Sequence, residues 1–555
     1  MISEYAILSQ PSRTLCKMIL HQCCRLIPAS SKEFAMKEQK AGRVFSPLFY
    51  FLLFSSFLLY IWIFSNTPYG QDDWWWGVDS GMHALLTGSI NSRYLGNLLE
   101  VIVTRSEFLK AVLHGLIAAF IPFFVVVLVR SNTQVGPVLN GKADRLPEAV
   151  LLLSNILFLT LPIDVWKDTY GWIAGFSNYG FAVFFLAAFQ LLISRLFLHD
   201  APNLSVAAGI GYFIFGLCIQ LVLENMTIYV FLVDALLLVI MMIEKKGKAS
   251  KRLMLLMLAG NAIGLVIMFS SGIYQSLFHS GVAVNGYRTL SFDTNDSFYH
   301  IFLQLNQRFV YFYPNRIFGN NWVICSLISV LLFLLSGRGK SLMRFGIRFF
   351  TIFFFLYFLF VHFRGPLEDY LSCWNEVRSQ WLNLLFFWGV FLSILLLPWT
   401  GKWMRRILIF IWLSVPGVVL PLIAVKIVGA RYFLFSTLFL VEFCMFLLAE
   451  GYNNWGNGRR VAECFILAAY LLVGIHRFSI YYDIGQGKKE REALIRAAQN
   501  GETNRLYFKD LPHSEYIEIN EPLDGSEHVI PYRKFYNIPD SVEMHNSLEA
   551  FSPEE

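Results

Sequence analysis

Gln71-Asp72-Asp73-Trp74-Trp75-Trp76 stands directly after the first long apolar run of the chain, which begins near Ser46. Two adjacent carboxylates and three tryptophans fall where a membrane-spanning helix gives way to water. Tryptophan is enriched at that depth because its ring favours the interface while its N–H stays hydrated. A charged aspartate near the bilayer centre costs about 2.5–3.5 kcal/mol even on the mildest scale. The stretch therefore reads as the aqueous mouth of a membrane protein, facing one side.

Composition agrees with that placement. Only 15% of the 555 residues are charged and 56% are hydrophobic, where a soluble domain carries roughly 25% charged residues. The excess comes as runs of about 16–22 apolar residues, enough to cross the hydrocarbon. They begin near Ser46, Phe108, Ala149, Tyr179, Leu204, Thr227, Leu253, Trp322, Phe349, Trp381, Ile407, Tyr432 and Val461. With a cytoplasmic N-terminus, nearly every second loop is basic: Arg130/Lys142/Arg145, Lys245/Lys246/Lys248/Lys251/Arg252, Arg338/Lys340/Arg344/Arg348, Lys402/Arg405/Arg406 and Arg459/Arg460. That alternation is the positive-inside rule. The expected fold is an all-α polytopic membrane protein of about 13 transmembrane helices, N-terminus in and C-terminus out.

Three regions follow. Residues 1–44 form a basic cytoplasmic segment, and Met36 just before the first span reads as a second candidate start. Residues 45–476 form the transmembrane domain, and 477–555 a small extracytoplasmic α+β appendage. In that appendage Lys488-Lys489-Glu490-Arg491-Glu492 reads as a solvated helix, while Arg505–Phe508 and Tyr516–Ile519 alternate like short strands. The eight cysteines show neither a disulfide framework nor metal-ligand spacing. The basic residues are dispersed, with no stripe for nucleic acid.

Unusual residues collect in the outer loops. Asp72 and Asp73 are candidates for a general base toward a hydroxyl, or for holding a divalent cation against a phosphate. The competing reading is an acidic turn at a helix N-terminus. Arg93, Arg288, Arg364 and Arg431 are basic residues on the face that normally lacks them, and the guanidinium fork suits phosphate oxygens. Asp164, Lys167, Trp172 and Tyr179 mix charge with aromatic faces, the composition that packs on sugar rings. Glu224 stands near the outer end of a span. Asp234 and Glu442 lie within apolar runs, where helix-to-helix hydrogen bonding is the preferred reading over a proton relay. No Walker loop, nucleophile elbow or nucleotide-binding glycine run occurs in a suitable context.

Asp72-Asp73-Trp74, Arg93-Tyr94-Leu95-Gly96, Trp172 with Asn178-Tyr179, Glu224-Asn225 and Tyr532-Arg533-Lys534-Phe535-Tyr536 give the chain a familiar cast. Together with one span before a long acidic outer loop and a dozen spans after it, they resemble the GT-C class of integral-membrane glycosyltransferases. More narrowly they look like a bacterial multispanning family that is itself similar to the O-antigen glucosyltransferases. The resemblance implies transfer of a sugar from a polyprenyl-phosphate carrier to a cell-envelope glycan or glycolipid at the outer face of the bacterial inner membrane. Asp72 or Asp73 would act as base, and Arg93, Tyr94, Asp164, Lys167, Trp172, Tyr179, Glu224, Arg288, Arg364 and Arg431 would bind substrate. The first loop has Asp-Asp in place of a clean Asp-x-Asp, which leaves metal dependence open, with Mg2+ or Mn2+ as the candidate cofactor. Expected partners are the lipid-linked donor, the glycan acceptor and membrane lipids. A polymerase or ligase of lipid-linked oligosaccharides, and a transporter or flippase, are the alternatives.

Overall fold

The computed structural model describes residues 45–133, 145–198, 205–281, 289–293, 295–363, 376–400, 402–426, 428–452, 455–456, 458–519 and 522–546. Among them, helix dominates and the strands are two short ones, Arg505–Phe508 and Glu543–Asn546. Among the described residues, ten helices are long and apolar enough to cross a membrane. Phe298–Gly319 and Trp322–Arg338, bent by 77° at their junction, make an eleventh if they form one span. Each apolar run of the sequence lies on a helix, but Leu146–Leu159 and Val206–Gln220 are short. The 14 residues of Leu146–Leu159 cover about 21 Å at 1.5 Å per residue, against a hydrocarbon core of about 30 Å.

Local chemistry sets where the first helix starts and stops. Ser46 accepts a hydrogen bond from the Phe49 amide at 3.0 Å and Pro47 occupies the first turn, the ordinary way to satisfy orphan N–H groups. Phe51, Phe54 and Leu58 are exposed along one side of Pro47–Asn66, while Phe49, Tyr60 and Ile63 are buried on another. A helix with one apolar face inward and another apolar face outward fits a bundle solvated by lipid.

Two helices, Leu146–Leu159 and Leu434–Tyr452, are buried on nearly all sides. Leu434–Tyr452 is buried at every residue and packs on Trp322–Leu335, Lys402–Gly417 and Leu146–Leu159. A helix apolar all round belongs in an interior. Its two acids each have a partner there: Glu442 accepts from Gln190 at 2.7 Å, and Glu450 pairs with Arg338 at 2.6 Å. Asp234 likewise accepts from Asn261 at 2.6 Å. Inside a bundle such acids need partners, and helix-to-helix hydrogen bonding supplies them.

The C-terminal region begins within a helix of the bundle. Gly458–Gln499 is one continuous helix of 42 residues, about 63 Å long at 1.5 Å per residue. It therefore runs through position 476 without a break. Arg477 is held there by the Leu159 carbonyl at 2.7 Å, between the rings of Trp166 and Tyr516. Arg505–Phe508 is a strand as expected, pairing in parallel with Glu543–Asn546. Tyr516–Ile519 is not a strand. Ser514–Tyr516 forms a short 3-10 turn, and the Glu518 amide bonds to the Gly171 carbonyl at 3.1 Å. Pairing with the loop around Gly171 takes the place of a sheet partner for this segment.

Candidate functional site

The first loop builds the site through short helices. Gln71–Trp76 begins where the Gly70 amide donates to Asp73 Oδ2 at 2.6 Å. Asp73 Oδ1 accepts from the Ala174 amide at 2.7 Å, so one carboxylate joins two loops. Tyr94–Val103 is anchored by the Leu95 amide on the Leu221 carbonyl at 3.0 Å. That contact brings Arg93 to Glu224, and the two form a bidentate pair at 2.9 and 2.6 Å. Phe176–Gly180 is a π-helical turn at the head of the following span. Such bulges re-aim side chains and concentrate at functional sites. Here Asn178 and Tyr179 line the cavity.

A cavity of about 400 Å³ results, walled by Asp72, Trp75, Arg93, Glu100, Trp172, Asn178, Tyr179 and Arg431, and closed on one side by Glu527, His528 and Pro531. Asp72 presents its carboxyl to it, reachable by water yet hemmed in by protein, and among the described residues it makes no hydrogen bond or ion pair. That crowding raises its pKa above the ordinary carboxylate value, against the lowering pull of Arg431, His528 and Arg93. Arg431 donates from Nε to the Tyr179 hydroxyl at 3.1 Å, and its guanidinium lies 5.2 Å from the Trp172 ring centre. The Arg431 amide also meets Asp168 Oδ2 at 3.4 Å.

Of the residues singled out in the sequence, Asp72, Arg93, Trp172, Tyr179 and Arg431 meet at this one cavity. Asp73 sits behind it, completely buried, with both oxygens on backbone amides. Burial pushes its carboxyl up to about 7, although the Gly70 and Ala174 amides and Lys110 pull the other way. Glu224 also stands behind the wall, orienting Arg93. Tyr94 is half-buried with its hydroxyl near Gly88, where a Cβ would come within 2.6 Å. Asp164 lies outside the cavity, 3.9 Å from Arg316, and Lys167 pairs with Glu518 at 3.1 Å. Trp166 belongs to the core, stacked on Tyr170 and donating to the Tyr481 hydroxyl at 2.8 Å. Arg288 and Arg364 lie outside the described residues.

Three site residues escaped the sequence reading. Glu100 is completely buried, with Oε2 3.4 Å from Asn178 Nδ2 and no hydrogen-bond partner for Oε1 among the described residues. Burial, together with the nearby negative Asp73 and Asp72, lifts its pKa well above the usual range. A lone acid within Leu98-Leu99-Glu100-Val101-Ile102 was the available signal. Asp168 and His528 carried none, since one sits in a mixed loop and the other is more than 400 positions from the first loop. Asn178 Oδ1 and Trp172 Nε1 are also buried without hydrogen-bond partners among the described residues. Unsatisfied polar atoms around a cavity are costly unless something polar occupies it. Among the described residues no three His, Cys, Asp or Glu side chains gather to hold a metal ion. Comparison with known proteins returns no match: no family model, no curated protein and no solved structure is detectably similar to this chain.

Proposed function

We propose that the chain is a membrane glycosyltransferase of GT-C type, moving a sugar from a polyprenyl-phosphate carrier to a cell-envelope glycan or glycolipid. The reading rests on one observation above the rest. A carboxylate with no hydrogen bond or ion pair among the described residues, Asp72, shares a 400 Å³ cavity with Arg93 and Arg431 and with the aromatic faces of Trp172 and Tyr179. A sugar offers ring faces and hydroxyls, and a lipid phosphate offers an anion, so that lining answers both. In this reading the thirteen apolar helices all cross, the N-terminus is cytoplasmic, and the cavity opens outside the inner membrane of a bacterium.

The reaction is a single displacement. The acceptor oxygen forms a bond to the anomeric carbon while the bond from that carbon to the carrier phosphate breaks. Asp72 takes the acceptor's hydroxyl proton, and the phosphate leaves as polyprenyl phosphate with its developing charge facing Arg431. Arg93, already shared with Glu224, orients the donor. Glu100, whose burial beside two other acids favours the protonated form, donates a hydrogen bond to a sugar hydroxyl. The transporter reading draws on the 77° break after Gly319, since broken helices frame many transport sites. The polar side chains flanking that break are held by neighbouring helices instead: Asn383 donates to the Asn315 side chain at 2.7 Å and Thr437 to the Asn321 side chain at 3.2 Å.

The test is envelope-glycan analysis in a strain lacking the gene and in strains complemented with wild type or Asp72→Asn. Loss of one sugar modification, restored by wild type and reduced 100-fold or more by Asp72→Asn at equal membrane abundance, is the expected result, since a general base contributes about 10²–10⁴. Unchanged glycans in all strains would end the proposal.

A further inference from the structure

A second cavity, of about 300 Å³, lies at the opposite end of the bundle and is walled mainly by apolar side chains. Chain direction places it. Leu128 and Phe197 are near the ends of helices that begin beside the first site, as is Ile240 on the helix that begins with Glu224. Trp403 starts a helix whose far end leads to Arg431. The floor includes Gln190, which donates to Glu442 and whose Oε1 is buried without a hydrogen-bond partner among the described residues. The rim is charged. Arg406 meets Glu244 at 2.8 Å, Lys246 is 3.8 Å from the same carboxylate, and Lys246 also lies 4.7 Å from the Trp403 ring centre. Two cations thus share one acid, and Arg406 remains 57% exposed.

We propose that this crevice binds one anionic phospholipid of the adjacent leaflet, its acyl chain along Leu237, Ile240 and Phe410 and its phosphate between Lys246 and Arg406. An apolar slot under a basic, tryptophan-edged rim matches a lipid end to end. The net positive rim favours a headgroup without its own cation, because a choline would be brought against Arg406 and Lys246. The volume falls at the lower end of the ~300–1,000 Å³ typical of small-molecule sites, room for part of one chain. This site is independent of the sugar-transfer reading, sharing no lining residue with the first cavity.

The experiment uses the full chain, purified in detergent and stripped of lipid, then titrated with phosphatidylglycerol or phosphatidylcholine and weighed by native mass spectrometry. Wild type is expected to hold one phosphatidylglycerol about fivefold or more tightly than phosphatidylcholine, roughly what one basic side chain near a headgroup confers. Lys246→Gln with Arg406→Gln removes that preference, and Ile240→Trp, by filling the slot, removes tight binding of both lipids. Glu244→Gln releases both cations and increases the preference. That last variant deletes only a charge at the surface, so its sign decides the matter if Ile240→Trp fails to fold. Equal retention of the two lipids by wild type, or a preference weakened by Glu244→Gln, overturns the proposal. One-for-one displacement of phosphatidylglycerol by polyprenyl phosphate also overturns it, assigning the crevice to an isoprenoid carrier instead.

Discussion

The Glu100 carboxyl is buried in a wall that already holds Asp72 and Asp73, and no cation pairs with it among the described residues. Leaving its proton on costs less than burying a third negative charge. The neutral isostere Glu100→Gln should therefore keep activity within a few-fold, whereas Glu100→Ala should lower it about tenfold or more by deleting the donor. Transfer assays on membranes with matched protein levels separate the two. Asp72 must be ionised to act as a base, so activity falls as pH drops through its pKa. Crowding raises that pKa, and Glu518 contributes to the rise. The acid limb of the rate–pH profile should thus lie above the ordinary carboxylate value of about 4. Glu518→Gln should shift it to lower pH, and an upward shift would contradict Asp72 as the group being titrated.

The first-loop helix Gln71–Trp76 and the C-terminal helix Val529–Tyr536 meet through small residues and rings. Trp74 packs edge-on against Tyr532 with centroids 4.8 Å apart. A Cβ at Gly77 would lie 2.2 Å from the Phe535 ring, although the backbone there is ordinary right-handed helix. The conflict is one of space and not of conformation. Gly77→Ala should cost about 1–3 kcal/mol, the usual range for overpacking. Phe535→Ala in the same chain should recover much of that loss, so the pair is non-additive in a double-mutant cycle of thermal unfolding. Strict additivity would mean that the two elements are not in contact. At Gly171 the clash would be with backbone, the Tyr516 carbonyl at 2.0 Å, and no side-chain truncation relieves it.

At the scale of the whole molecule, the C-terminal region is part of the site. Glu527, His528 and Pro531 supply one wall of the first cavity, while the helix that leads to them is itself a candidate span. Ending the chain after Gly501 should leave a membrane-inserted protein of near-normal abundance with at least tenfold lower activity, since a misplacement of about 1 Å in a catalytic constellation can cost on the order of 10²-fold. Immunoblots of washed membranes paired with the transfer assay check both halves. Full activity in the shortened chain would show that the wall has no role in catalysis. The helical bundle was legible in the sequence because apolar length and loop charge report directly on lipid and water. Asp72, Arg93 and Arg431 were legible because charges at that depth need a reason. Asp73 and Glu224 were legible as acids but not as supports, since only packing reveals that one caps a helix and the other grips Arg93. Lys167 and Asp164 drew attention by composition alone, and their partners proved to be Glu518 and Arg316.

By itself, then, the sequence determined a polytopic helical membrane protein with an acidic first loop, because hydrophobic period and charge are properties of each stretch taken alone. Only the tertiary structure decided which of two adjacent aspartates faces the cavity, that Glu100 joins it, and that residues near 528 close it. Those facts depend on which distant backbones meet. Such meetings are fixed by glycines, buried amides and ring contacts whose meaning exists only in pairs.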